Sequence, residues 1–317
     1  MQLRRSAAFC VFFVLILGGN ASPAQQASAE SAAGPELTVR PGEVVTATVE
    51  GAPAAIRVLS GGPDRLLLDP DYVARRGIKP APFLGRGNLN VAGRREFKGW
   101  NRPLDFVIDG VRQKGRAFWF AGAPPIEGDA TIGPWALPQS RVTLVFGGND
   151  ARTQRHDFPL FGDISSSSFT GYRGATFGLA VSFDLDATEQ YPVASAAAGA
   201  AIAKAHGGQL SGPSWDIDIL LGVKRPVRLM MLSQPFVFGP LSFDRIAVRV
   251  RDRIDSAGRG DPIPDGTEDP SEIVVAATKK GPQPRYGLNI PRAGLSPCSK
   301  LTFDKAAKRI ELWCNPA

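Results

Sequence analysis

Ser60 stands in the turn Leu59-Ser60-Gly61-Gly62 and presents a hydroxyl, but a serine nucleophile needs a base to take its proton. The chain has two histidines, His156 and His206. His206 ends an alanine-rich stretch, where an imidazole serves the last carbonyls of a helix, and His156 lies in a polar segment. The flanks of Ser60 do not spell Gly-x-Ser-x-Gly, so a Ser–His hydrolase is disfavoured. Asp252, Asp255, Asp261, Asp265, Glu268 and Asp269 crowd one Gly/Pro-rich loop whose oxygens suit calcium by type. Their spacing matches no EF-hand, and a solvated acidic loop accounts for them. Gly85-Arg86-Gly87 and the segment from Gly208 to Gly212 lack the strand-to-helix context of a phosphate cradle. No metal and no cofactor is expected.

The 317 residues carry a net charge of +7, and 27 prolines and 35 glycines mark a turn-rich soluble composition. Acids and bases are interleaved without a basic run, so nucleic acid is not the expected partner. Met1–Arg5 supplies a positive start, Ala7–Leu17 an apolar stretch and Ser22-Pro23-Ala24 a small-residue exit. These are the parts of a secretory signal peptide, expected over 1–24. No later apolar segment is long enough to span a bilayer. An exported protein is expected, in the periplasm, with no membrane span after leader removal. Cys10 leaves with the leader. Cys298 and Cys314 flank two strand-like runs, Leu301-Thr302-Phe303 and Arg309-Ile310-Glu311-Leu312, so a hairpin brings their sulfurs together as a structural disulfide.

The elements that must position these residues read as strands. A Gln/Ala/Ser/Gly-rich linker over 25–36 precedes a hairpin, Val44–Val49 and Ala55–Leu59, about a Gly51-Ala52-Pro53 turn. Leu66-Leu67-Leu68 continues as a buried strand, and Pro70 to Gly77 reads as a short helix with proline at its start and glycine at its stop. Strands follow at 104–108, 116–120 and 142–146, then a polar connection. Val181-Ser182-Phe183-Asp184-Leu185 alternates, putting Val181, Phe183 and Leu185 on one face. A helix over Ala194–His206 stops at Gly207-Gly208, and strands resume at 217–221, 227–232, 246–250, 273–277 and the closing hairpin. Two copies of one β-rich unit are the economical reading.

Ser60-Gly61 after a hairpin, the buried run 66–68, the short helix and the later Ile132-Gly133 resemble, in type and order, the aspartic peptidases of the retropepsin and pepsin type. Asp186-Ala187-Thr188, the alanine-rich helix and the closing stretch from Leu288 to Leu295 and Leu301 to Leu312 repeat that order. The resemblance covers 37–317 in outline. It implies a mainly β fold of two retropepsin-like β-barrel lobes related by a pseudo-two-fold, the first at 37–150, a connector at 151–174 and the second at 175–317. It also implies flaps between Leu89 and Trp100 and between Gly208 and Trp215.

Catalysis in that family takes one carboxylate from each lobe, the pair sharing a proton so that one is base and the other acid. In this register the first acid position is Leu59, within the degenerate Leu59-Ser60-Gly61. The second lobe offers Asp186, or Asp184 if the match is Asp184-Leu185-Asp186-Ala187. The resemblance therefore implies a non-catalytic relative that binds an extended peptide in the inter-lobe cleft by strand addition. The alternatives are an active aspartic endopeptidase, with Asp64 or Asp69 reaching the cleft or a homodimer pairing two second-lobe acids, and a structural envelope protein.

Overall fold

The computed structural model describes residues 34–62, 65–91, 95–148, 152–162, 168–250 and 286–316. The leader expected at 1–24, Asp64, the acidic residues from Asp252 to Asp269 and the strand expected at 273–277 lie outside them.

The chain is mainly β. After β1 (Glu36–Val39) come β2 (Val44–Val49), β3 (Ala52–Val58) and β4 (Leu66–Leu68), then the helix α1 (Pro70–Arg76). The long meander β5 (Arg86–Val91), β6 (Arg95–Ile108) and β7 (Val111–Phe120) follows, then β8 (Ala130–Ile132), a single 3-10 turn over Pro134–Ala136, and β9 (Arg141–Val145). The stretch expected as a polar connection carries two strands, β10 (Gln154–Pro159) and β11 (Thr170–Arg173). β12 (Gly178–Asp184), β13 (Val193–Ala194) and the helix α2 (Ala196–His206) come next. The second meander is β14 (Gly208–Leu220), β15 (Val223–Phe238) and β16 (Leu241–Arg249), and the described chain closes with β17 (Gly287–Pro291), β18 (Cys298–Asp304) and β19 (Arg309–Cys314).

Two seven-stranded sheets repeat one topology. The first runs β2-β3-β8-β4-β7-β6-β5 and the second β11-β12-β17-β13-β16-β15-β14. Each neighbouring pair has the same sense in both. β3 with β8 and β12 with β17 are parallel, as are β4 with β7 and β13 with β16, and the remaining pairs are antiparallel. In the first sheet β2 also pairs with β6, closing six strands into a barrel.

Local chemistry explains the elements. β3 alternates, with Ala54, Ile56 and Val58 buried, and β12 does the same with Leu179, Val181 and Phe183. The hairpin turns Asp109-Gly110 and Leu221-Gly222 have positive φ at both central residues, the geometry that matches strand twist in two-residue loops. The second of these moves the hairpin tip away from Gly208–Trp215. Gly212 instead sits inside β14 at a register break between Ser211 and Trp215, and Asn101-Arg102 lies within β6. Both α1 and α2 start on a side-chain cap, Asp69 and Ser195, and end on a left-handed glycine, Gly77 and Gly207.

A third sheet, β1-β9-β18-β19-β10, takes strands from both ends of the described chain. Its anchor is Glu311, whose fully buried carboxylate meets Arg141 and Arg309, while Arg141 and Arg309 also reach Asp304. A buried carboxylate is tolerated only when several charge-assisted bonds replace its water. Cys298 and Cys314 are opposite partners of β18 and β19, their sulfurs at disulfide distance. With a sequence separation of 16, Cys298→Ser/Cys314→Ser is expected to lower stability by about 3 kcal/mol, read as a lower urea midpoint with an unchanged fold by circular dichroism.

Candidate functional site

The ends of β3 and β12 are equivalent in the two sheets, and each leads into a tight turn. In the first, the Gly62 amide donates to the Leu59 carbonyl at 3.2 Å and the Leu59 amide to the Ile132 carbonyl at 3.1 Å. In the second, the Asp186 and Ala187 amides both donate to Asp184 Oδ1, each at 3.1 Å, an Asx-type turn. Pairing register aligns the two. Val58 stands beside Ile132 and Phe183 beside Ile290, so Leu59 corresponds to Asp184, Ser60 to Leu185 and Gly61 to Asp186. Of the two alternatives, Asp184 is the counterpart of Leu59.

The turns meet each other directly. Ser60, fully buried, accepts a hydrogen bond at its Oγ from the Leu185 amide at 2.7 Å. A symmetric partner would accept from the Ser60 amide in return, but the Leu185 side chain has no acceptor. That amide bonds the Asp186 carboxylate instead. Gly61 leaves space that Asp184 fills: a Cβ there would stand 2.5 Å from Asp184 Oδ2. Asp186 Oδ1 faces Arg57 Nη2 at 3.4 Å, and Arg57 holds Glu127 at 2.8 Å with its other nitrogen.

Burial pushes the Asp184 carboxyl above the usual carboxylate range, opposed by the Asp186 amide, by Asn289, whose side chain bonds it, and by the Ala187 amide. Asn289 in turn accepts from Ser182 at 3.1 Å. Burial and the neighbouring Asp184 charge raise Asp186 as well, with Arg57 pulling the other way. Asp186 Oδ2 is buried with no hydrogen-bond partner. The site holds two carboxyls from one turn, and an aliphatic side chain occupies the equivalent position on the other.

Asp69 does not reach this site. Its carboxylate caps α1, accepting from the Asp71 and Tyr72 amides, and also accepts from the Ile126 amide at 3.1 Å. The structure brings Ser60 to Leu185 and to neither histidine. His156 lies on β10 opposite Leu312, and His206 packs edge-on against Phe236. Among the described residues no group of three or more His, Cys, Asp or Glu could hold a metal ion. Trp119 is core, while Trp215 is exposed. It lines a cleft of about 290 Å³ with Glu189, Gln190, Tyr191 and Ala247.

Arg57, Asn289 and Tyr191 were not singled out from sequence. The first two had a signal: Arg57 alternates with Ile56 and Val58, and Asn289 with Leu288 and Ile290, so both sit off the core face. Compared with protein-family models and with curated protein sequences, the chain matches none.

Two outcomes follow from this geometry. Gly61→Ala should cost about 1–3 kcal/mol in equilibrium unfolding, since the added methyl must displace a buried carboxyl. A carboxyl whose folded pKa is raised binds its proton more tightly folded than unfolded. Its penalty is therefore absent below the unfolded value of about 4, grows as pH rises from there to the folded one, and is constant above it. Asp184→Asn keeps the Oδ1 acceptor and removes that penalty. It should be more stable than the parent at neutral pH, with the two unfolding curves converging near pH 4; parallel curves would contradict the assignment.

Proposed function

We propose that this chain is an exported, periplasmic relative of the aspartic peptidases, two retropepsin-like lobes that bind an extended peptide without hydrolysing it. The observation that carries the reading is the pairing of Leu59 with Asp184 at equivalent turn positions. Peptide hydrolysis in this architecture needs one carboxyl to take a proton from water while its partner polarises the scissile carbonyl. A leucine does neither. Asp186 does not substitute for the missing group, because it shares a turn with Asp184 and faces Arg57.

Several features support the fold part of the reading. The repeated strand order fits two lobes of one ancestry, and in each sheet the strand before the turn, the parallel neighbour and the following helix come in the same succession. The Ser60–Leu185 contact fits lobes docked through their turns. The disulfide fits an oxidising compartment. For binding, the reading places the extended peptide between the lobes; within the second lobe, a cleft beside β14 offers an exposed tryptophan and a tyrosine, flat surfaces that hold a peptide side chain at little entropic cost.

The test is incubation of the purified protein with a denatured polypeptide from about pH 3 to about pH 7, with and without an inhibitor that mimics the tetrahedral intermediate. The expected result is retention of intact polypeptide without cleavage, weakened roughly tenfold by Trp215→Ala. Inhibitor-sensitive cleavage that Asp184→Asn abolishes would establish a peptidase instead. Neither cleavage nor retention would leave the structural envelope role.

A further inference from the structure

Phe83 and Leu84 are the most exposed large apolar side chains of the described chain, with relative accessibilities of 103% and 79%. Burying two such groups in the core would be favourable, yet the loop that carries them holds them out. The Ala81 amide donates to the Asn101 carbonyl, the Gly85 amide to the Ala81 carbonyl and the Asn101 amide to the Gly85 carbonyl, all within 3.0 Å. Phe83 has φ of 61°, a left-handed backbone that an aromatic residue rarely adopts. The tip is thus a pinned projection, held by the edge of β6 with Phe83 in a strained conformation. Strain at an exposed apolar residue points to a function for the exposed side chain.

The surroundings are cationic. Between Asp71 and Glu96 the sequence has six Lys or Arg and no acid. Lys79 and Arg86, both exposed, flank the tip. Arg116 bonds Asn101, whose side-chain amide reaches the Leu84 carbonyl. Of the acids on this edge, Glu50 faces Arg102 and Glu96 accepts from Asn88 of β5. Two side chains are far short of the roughly 800 Å² per partner that a stable protein interface buries. They are enough for a membrane surface, where apolar groups enter the acyl boundary and cations meet lipid phosphates.

We propose that the 80–86 loop docks this protein on a membrane surface bearing anionic lipid, with Phe83 and Leu84 as the inserting wedge and Lys79 and Arg86 on the headgroups. The proposal is independent of what the turns at Ser60 and Asp184 do.

The experiment is flotation of the full chain with vesicles of phosphatidylcholine alone and of about three parts phosphatidylcholine to one part phosphatidylglycerol. Residues 1–33 are kept the same in every variant, so any contribution of the apolar Ala7–Leu17 stretch is common to all. The parent should partition onto anionic vesicles at least about tenfold better than onto neutral ones, and less so at high salt. Phe83→Ser/Leu84→Ser should lose about tenfold of that partition, and Lys79→Glu and Arg86→Glu roughly fivefold each. Both side chains are in solvent, so unfolding midpoints should not fall.

Hydrogen exchange supplies a readout local to the loop: the amides of residues 81–86 should slow on anionic vesicles and not on neutral ones. Equal binding by parent and double variant, or unchanged exchange in this loop, overturns the proposal. Self-association in solution that the double variant abolishes, without vesicle binding, would assign the tip to a second copy of the chain.

Discussion

A single buried hydroxyl holds together the part of the molecule on which the functional reading turns. Ser60 Oγ takes the Leu185 amide at 2.7 Å with no exposure to water, and a buried amide left without that acceptor would carry its full desolvation cost. The contact fixes how closely the two turns approach. Because they are that close, residue 61 must lack a side chain and Asp184 must lose most of its water. The raised carboxyls, the role of Asn289 and the engagement of Arg57 by Asp186 are consequences of that distance.

The asymmetry of the contact is as informative as its presence. A hydroxyl at position 185 would let each turn grip the other. With leucine there, the Ser60 amide goes to Asp186, which draws Arg57 across and, with Glu127, forms a chain of charge beside the turn. The two turns also differ at the position where β3 and β12 end: Leu59 on the first is aliphatic and its register equivalent Asp184 on the second is a largely buried carboxyl.

The third sheet answers a different requirement. Arg141 of β9 links strands from the start and end of the described chain, meeting Glu36 of β1 on one side and the buried Glu311 of β19 on the other, while Arg309 meets Glu311 along β19 itself. The disulfide joins β18 to β19 at the far end of the same pair. The apolar projection at Phe83 is at the opposite extreme of the energetics. Among the described residues nothing covers it, and hydrogen bonds within its loop and to Asn101 of β6 keep it there.

Strand alternation, proline and glycine punctuation, caps and the cysteine pair were legible because each depends on residues near one another in sequence. So the hairpin at Val44–Val58, the helix at Pro70, the helix ending at His206, the pairing of Cys298 with Cys314 and the repeat of one β-rich unit could be read directly. The polar residues around 151–174 misled, since β10 and β11 are strands on sheet margins where water replaces a second apolar face. Whether Asp184 or Asp186 matches Leu59 was not decidable from spacing, because a two-residue slip puts an aspartate at the matched position either way. Tertiary structure decided it through the parallel pairings of β3 with β8 and β12 with β17, a register set by packing between segments more than seventy residues apart. Sequence determined which local shapes the chain takes; only long-range pairing determined which carboxyl faces which turn, since burial and approach distance belong to the assembled fold.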